Sequence, residues 1–212
     1  MRVFRFYEID STNKFLKEQN NLQDYDCVIA KTQTAGVGRR GNVWVSNEGM
    51  AIFSFALKEA ENISLEEYMR LPLIAGISVL SGLKKIEDLD YKFKWTNDIY
   101  LDDKKLCGIL VEKTKDFFII GIGININNSD FGYAQDRAIS LKNKTGNFYR
   151  IEDIIFCIIN EFKRYFSEDW SFVLKEINSY NYLKDKEIEI VKYGESLGVG
   201  VTKDIAEDGR LI

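Results

Sequence analysis

Three groups of residues in this 212-residue chain combine side-chain types that can do chemistry. The first is residues 32–44, TQTAGVGRRGNVW, where Gly36, Gly38 and Gly41 surround the adjacent Arg39 and Arg40, and Trp44 closes the stretch. Glycine lets backbone N–H groups approach a ligand closely and arginine supplies fixed positive charge, so the combination suits a bound anion. The second is Asn97 and Asp98 followed by Lys105: an amide, a carboxylate and an ammonium around a short turn. The third is Ser11, Thr12 and Asn13, behind Glu8 and Asp10. Each has a plainer reading, as a solvated loop, an exposed turn, and a helix N-cap made by Ser11 or Thr12. Histidine is absent from the chain, which excludes nucleophiles activated by imidazole and metal centres built on it. The chemistry that remains is electrostatic: placing positive charge and N–H donors where negative charge develops.

Residues 36–41 also satisfy G-x-G-x-x-G, but that fingerprint must open a helix to bind a dinucleotide. Here it is followed by Asn42, Val43, Trp44 and Val45, a polar turn at 46–49 and the strand-like run MAIFSFAL at 50–57. The dinucleotide reading therefore fails on context.

The elements that must hold these groups can be read from periodicity. Residues 2–7 alternate as a half-buried strand, and a helix follows to about residue 20. Residues 27–31 form a short buried strand that feeds the glycine loop, and Ser64 to Glu67 carry a capping box after a turn at Ala60. Pro72 either kinks that helix or starts another, with Leu73, Ile74, Ile77, Leu80 and Leu83 as the apolar face. Residues 91–95, 99–101 and 105–112 make three strands, with Asn97 and Asp98 at a junction and Lys105 just past a tight turn. FFIIGIGI at 117–124 is a buried strand whose two glycines imply close approach by a neighbour or a ligand. Residues 127–150 are poorly patterned and read as loop; 151–165 is an amphipathic helix, with a second to about 179. The tail reads as three short strands ending at Ile212.

Composition sets the frame. A 45% hydrophobic content supports a real core in a chain of this length. No signal pattern or membrane-length apolar run is present, and a cytoplasmic protein with no membrane association is expected. Cys27, Cys107 and Cys157 are odd in number and set among apolar residues, as buried reduced thiols are. With a net charge of -4, small anions suit the basic spots better than nucleic acid does.

Four motifs in one order, GVGRRGNVW (36–44), KWTND (94–98), KLCGILVE (105–112) and GIGIN (121–125), together with Ser11-Thr12-Asn13, resemble the catalytic domain of biotin protein ligases. The resemblance covers nearly the whole chain. It implies an α+β fold, a mixed and largely antiparallel sheet flanked by helices over residues 1–184, followed by a shortened SH3-like β module over 185–212. It implies joining of biotin to ATP through magnesium as biotinyl-5'-AMP, then transfer to one lysine of a biotin carboxyl carrier protein, the acetyl-CoA carboxylase subunit.

Carried over by position, Ser11, Thr12, Asn13 and Gln33 match contacts to the ring end of biotin, Gly36 and Gly38 the backbone along the ligand, and Gly108 the biotin wall. Arg39 and Lys105 match the cations at the carboxylate and phosphate. Asn97 and Asp98 match the phosphate and magnesium side, with Asp98 as the metal ligand. Arg40, Trp44, Gly121, Gly123 and Asn125 match the nucleotide pocket. Lys105, Arg39 and Asp98 are the expected catalytic residues, and loop 34–43 is expected to close over the adenylate. Val37 and Asn42 stand where many relatives carry arginine, and Thr96 where proline is usual. No DNA-binding domain precedes the motif, so no repressor function is expected; a homodimer through a sheet edge fits the family. A lipoate-type ligase and a biotin-binding module without turnover are the competing readings; relatives of the first carry a histidine-containing segment that this chain lacks.

Overall fold

A computed structural model describes residues 1–59, 64–192 and 194–212. Seven strands form one sheet: β1 (Val3–Ile9), β2 (Cys27–Gln33), β3 (Met50–Lys58), β4 (Lys92–Lys94), β5 (Asp98–Leu101), β6 (Lys104–Lys113) and β7 (Phe117–Asn125). Their spatial order is β1-β2-β3-β7-β6-β5-β4. Only β1 and β2 run parallel; the other neighbours are antiparallel, so the sheet is mixed and largely antiparallel.

The two faces of the sheet differ because successive strand residues point opposite ways. Along β7, Phe118, Ile120, Ile122 and Ile124 face the main core, whereas Gly121, Gly123 and Asn125 take the opposite parity. Along β3, Phe53, Phe55 and Leu57 join that core while Ile52, Ser54 and Ala56 look the other way. The apolar side is covered by α2 (Leu65–Ile86) and α4 (Ile151–Phe166), which contribute Leu73, Ile77, Leu80, Ile155, Ile158 and Phe162. The other side carries α1 (Thr12–Lys17), packed through Leu16 on Val28, Ala56 and Ile119, and is otherwise hollowed out by the glycines.

The capping box at Ser64 and Glu67 is formed, and Pro72 lies inside one continuous helix rather than between two. Its missing N–H costs the helix the bond to the Tyr68 carbonyl, one turn back. The expected turn at Ala60 falls outside the described residues. The stretch 127–150 is not all loop: α3 (Leu141–Thr145) starts at Ser140, whose hydroxyl accepts from the Asn143 N–H, and ends on Gly146 in the left-handed conformation. Its five residues are too few to show a period. The tight turn before Lys105 places Asp102 and Asp103 at positive φ, 49° and 58°, as a two-residue hairpin of this twist requires.

After α5 (Trp170–Ser179), β8 (Glu187–Lys192) and β9 (Glu195–Val201) form a separate two-stranded sheet. The third strand expected from the tail is not there. Residues beyond 202 make only an isolated bridge, Ile205 with Leu211, around a turn. This stretch instead packs back: Ile205 enters the main core, Asn178 and Ile205 exchange hydrogen bonds, and Trp95 Nε1 donates to the Gly209 carbonyl at 2.9 Å. Among the described residues no helix is long and apolar enough to cross a membrane.

Candidate active site

A cavity of about 650 Å³ opens on the hollowed face of the sheet. One long strand orders it. Along β7, Gly121 lies against Asn13, Gly123 against the Trp44 indole, and Asn125 beside the Lys105 carbonyl. Residues of one face are two apart, so these three stations span roughly 13 Å at the rise of an extended strand.

The first station is a neutral polar wall. Ser11 caps α1, its hydroxyl accepting from the Lys14 N–H, and so satisfies the plain N-cap reading while also lining the cavity. Gln33 Oε1 accepts from the Thr12 N–H at 2.7 Å, with the Thr12 hydroxyl 3.0 Å away, and Gln33 Nε2 donates to Ser46 at 3.0 Å. Beneath them Ser54 Oγ lies 2.7 Å from Thr12 Oγ1 and 2.6 Å from Asn13 Oδ1. Thr12, Asn13 and Ser54 are buried.

The middle is apolar and set by size. A Cβ on Gly123 would sit 2.4 Å from Trp44 Nε1, and one on Gly108 would sit 2.9 Å from the same ring, so both glycines exist to seat the indole. Trp44 Nε1 is buried without a hydrogen-bond partner.

The charged groups lie beside this middle station, since Asp98 pairs with Gly108 and Gly108 with Gly123. Lys105 Nζ lies 2.7 Å from Asp98 Oδ1 and 5.3 Å from the Trp44 ring centroid. Backbone bonds on both sides of Lys105, from its N–H to the Arg137 carbonyl at 2.8 Å and from the Ile139 N–H to its carbonyl at 3.1 Å, fix the strand that presents it. Arg39 Nη1 donates to Asn97 Oδ1 at 3.1 Å, tying the glycine loop to the KWTND turn. Asn97 in turn donates to the Ile109 carbonyl at 2.8 Å. Arg39, Arg40 and Arg137 are exposed at the mouth, and none makes an ion pair among the described residues.

The glycine loop is a small hairpin, not a helix start: Val37 bridges Val43, Gly38 donates to Asn42 and Trp44 donates to Gly36. Its tip holds Arg40 at φ 57° and Gly41 at φ 76°, the left-handed region that glycine enters without strain. A second segment meets it, since the Tyr133 hydroxyl donates to the Val43 carbonyl and Asn47 Nδ2 to Asp130.

Every predicted site residue except Gly36 lines this cavity. Gly36 is buried behind it, where a Cβ would meet the Trp44 carbonyl at 2.5 Å and Ser46 at 2.9 Å; it lets the loop fold over Gln33. Sequence reasoning missed Ser46, Ser54, Asp130, Tyr133 and Arg137. Ser54 had a signal, a lone hydroxyl in the apolar run MAIFSFAL. The others sit in irregular segments whose residue types announce nothing. The cysteines take no part. Burial pushes the Cys27 thiol up to about 12 and raises Cys107 and Cys157 also; all three are free, but Cys157 is half-buried rather than buried as expected.

Residues 5–127 match the family model for the biotin/lipoate A/B protein ligase family. The chain belongs to that family. It is 30% identical over 210 residues to the bifunctional ligase/repressor BirA of Bacillus spizizenii, covering 90% of this chain and 64% of that relative's length. It also superposes on the biotin protein ligase from Aquifex aeolicus in complex with biotin and ATP, with a TM-score of 0.88 and 30% identity over 98% of this chain and 89% of that one. The biotin acetyl coenzyme A carboxylase synthetase from Helicobacter pylori shares the fold, with a TM-score of 0.76 at 24% identity, covering 100% of this chain and 95% of that one.

Proposed function

We propose that this ligase-family chain activates biotin with ATP and transfers it to a lysine of a biotin carboxyl carrier protein. The observation that carries the reading is the order of groups along the cavity: a neutral hydrogen-bonding wall at Gly121, an apolar seat under Trp44 at Gly123 and Gly108, and the Lys105 ammonium beside that seat with Arg39 on Asn97 next to it. A molecule with a polar uncharged ring at one end, an aliphatic chain and a carboxylate at the other matches that order. The Aquifex relative, which binds biotin and ATP, supports it.

In this reading Ser11, Thr12 and Gln33 hold the ureido ring, Asn13 positions them, and Gly38 and Gly108 border the chain. A carboxylate oxygen attacks the α-phosphorus of ATP, the bond to the β-phosphate oxygen breaks, and pyrophosphate leaves. The reaction brings two anions together, so Lys105 and Arg39 act where charge builds up, and Arg40, Trp44, Asn97, Gly123 and Asn125 hold the nucleotide. The lysine amine of the carrier then attacks the acyl carbon, AMP leaves, and the amine proton passes to Asp98 or water.

Magnesium fits only as an ion carried by the nucleotide. Among the described residues no cluster of three potential ligands exists, and a single carboxylate, Asp98, is what a phosphate-bound magnesium needs from protein. A lipoate reading is disfavoured because a dithiolane ring has no N–H to use the polar wall. The test is label transfer: with labelled biotin, ATP and magnesium, a carrier domain becomes labelled and its lysine-to-arginine variant does not. Absence of label from the intact carrier contradicts the reading.

A further inference from the structure

The polar wall contains a shortage of hydrogens, and its origin lies outside the cavity. Glu112, near the end of β6, accepts from Asn13 Nδ2 at 2.7 Å and pairs with Lys17 at 2.8 Å. A carboxylate only accepts, so the Asn13 amide must turn its NH2 to Glu112 and its oxygen to Ser54. Asn13 Oδ1 then takes the Ser54 hydroxyl hydrogen over 2.6 Å. Beyond it lie two more oxygen–oxygen contacts, Ser54 to Thr12 at 2.7 Å and Thr12 to Gln33 at 3.0 Å, with the Thr12 hydroxyl hydrogen alone left to serve both. Gln33 cannot turn to help, because its Oε1 accepts from the Thr12 N–H and its Nε2 donates to Ser46. Gly121 keeps the arrangement possible: a Cβ there would lie 2.2 Å from Asn13 Oδ1.

We propose that Glu112 is a specificity-determining positioning residue, which by fixing the direction of the Asn13-Ser54-Thr12-Gln33 chain leaves the wall one hydrogen short and so selects a ligand ring that carries N–H donors. A ligand N–H entering from the cavity is shared by Thr12 Oγ1 and Gln33 Oε1, the pair that otherwise meets without enough hydrogens. The inference rests on the biotin reading and deepens it, because a ureido ring supplies such a donor and a dithiolane ring does not.

The test is ligand binding by calorimetry on the full chain, using biotin, desthiobiotin, which keeps the ureido N–H groups, and lipoate, which has none. In Glu112→Gln the new amide can donate to Asn13 Oδ1. Asn13 then turns over, donates to Ser54, and every contact in the chain gains a hydrogen without a ligand. Biotin and desthiobiotin are expected to weaken together by about tenfold, the scale of one hydrogen bond, with no loss for lipoate and no change in the KM for ATP. Ser54→Ala removes the competing oxygen by another route and should narrow the same selectivity with Glu112 intact. Lys17→Met removes the ion pair but not the direction and should leave biotin binding unchanged. Equal biotin-to-lipoate selectivity in the parent and both site variants overturns the inference alone; failure of the parent chain to bind biotin overturns the biotin reading and this inference with it.

Discussion

The two ends of the cavity are built on opposite plans. At the Gly121 end the polar groups are neutral and bonded to one another, Thr12, Asn13, Ser46 and Ser54 buried and Gln33 half-buried. Past the Trp44 indole the groups are charged: Lys105 is paired with Asp98, and Arg39, Arg40 and Arg137 are open to solvent without acidic partners among the described residues. A neutral ring is recognised by fixed hydrogen-bond direction, which needs rigidity and burial. Two reacting anions need fixed positive charge where they meet, which groups at an open mouth can offer. In the proposed reading the difference divides the labour: one end chooses the acid, the other activates it.

Substitutions at the charged end test that division most severely. Lys105→Ala and Arg39→Ala are each expected to slow biotin-dependent pyrophosphate release by roughly a hundredfold or more, the scale of losing one preorganised charge donor. Biotin binding without ATP should weaken by a much smaller factor, since only the contact to its carboxylate is lost. Near-normal release by both variants would break the comparison, and lost biotin binding would show that the ends are not separate.

At the neutral end Gly121→Ala puts a methyl where Asn13 Oδ1 now lies, 2.2 Å from the new carbon. Asn13 must shift, which disturbs its bonds to Ser54 and Glu112. The expected result is a rise of about tenfold or more in the biotin KM, with turnover at saturating biotin largely kept. A fall in turnover alone would place the glycine with the chemistry instead.

Loop 34–43 joins the ends, since it carries Arg39 toward Asn97 and leads into the Trp44 indole over Gly123. An activated acyl phosphate must be kept from water, so the loop should be several-fold less sensitive to protease with biotin plus ATP than with neither. Equal sensitivity removes the lid from the account.

The smallest effect concerns the core behind the sheet, and it separates site effects from stability. Burial pushes the Glu161 carboxyl up, but hydrogen bonds from Lys85, Ser81 and Arg164 outweigh it and hold it at about 2. A carboxyl lowered on folding contributes stability that is fully present above its ordinary range and is lost as pH falls through about 2. Glu161→Gln should therefore flatten the loss of stability between about pH 4.5 and 2 in thermal melts, leaving biotin and ATP affinities unchanged. An unchanged acid profile would show that Glu161 is not what ties α2 to α4.

Legibility in the sequence followed the same divide. Long periodic elements such as α2, α4 and β7 could be read because their apolar spacing recurs along the element, and the charged motifs because their residue types and order resemble those of the family. The division of work among the glycines could not: Gly121, Gly123 and Gly36 look alike in sequence, yet they accommodate an asparagine amide, an indole and a backbone turn. Lys105 reads as an ordinary turn lysine until the hairpin places it on Asp98. Glu112 closes a strand as any solvated carboxylate might, and its partner Asn13 is 99 residues away. The third strand of the tail failed for the same reason, since Ile205 is drawn into a core formed by distant elements and not by the tail itself.

The most direct measurement is pyrophosphate release from ATP and magnesium with biotin, run beside lipoate on the same preparation. Release with biotin and background release with lipoate is the predicted result, the neutral end choosing and the charged end reacting. Equal release with both acids would contradict the role of the polar wall, and release with neither would contradict the account of the charged mouth.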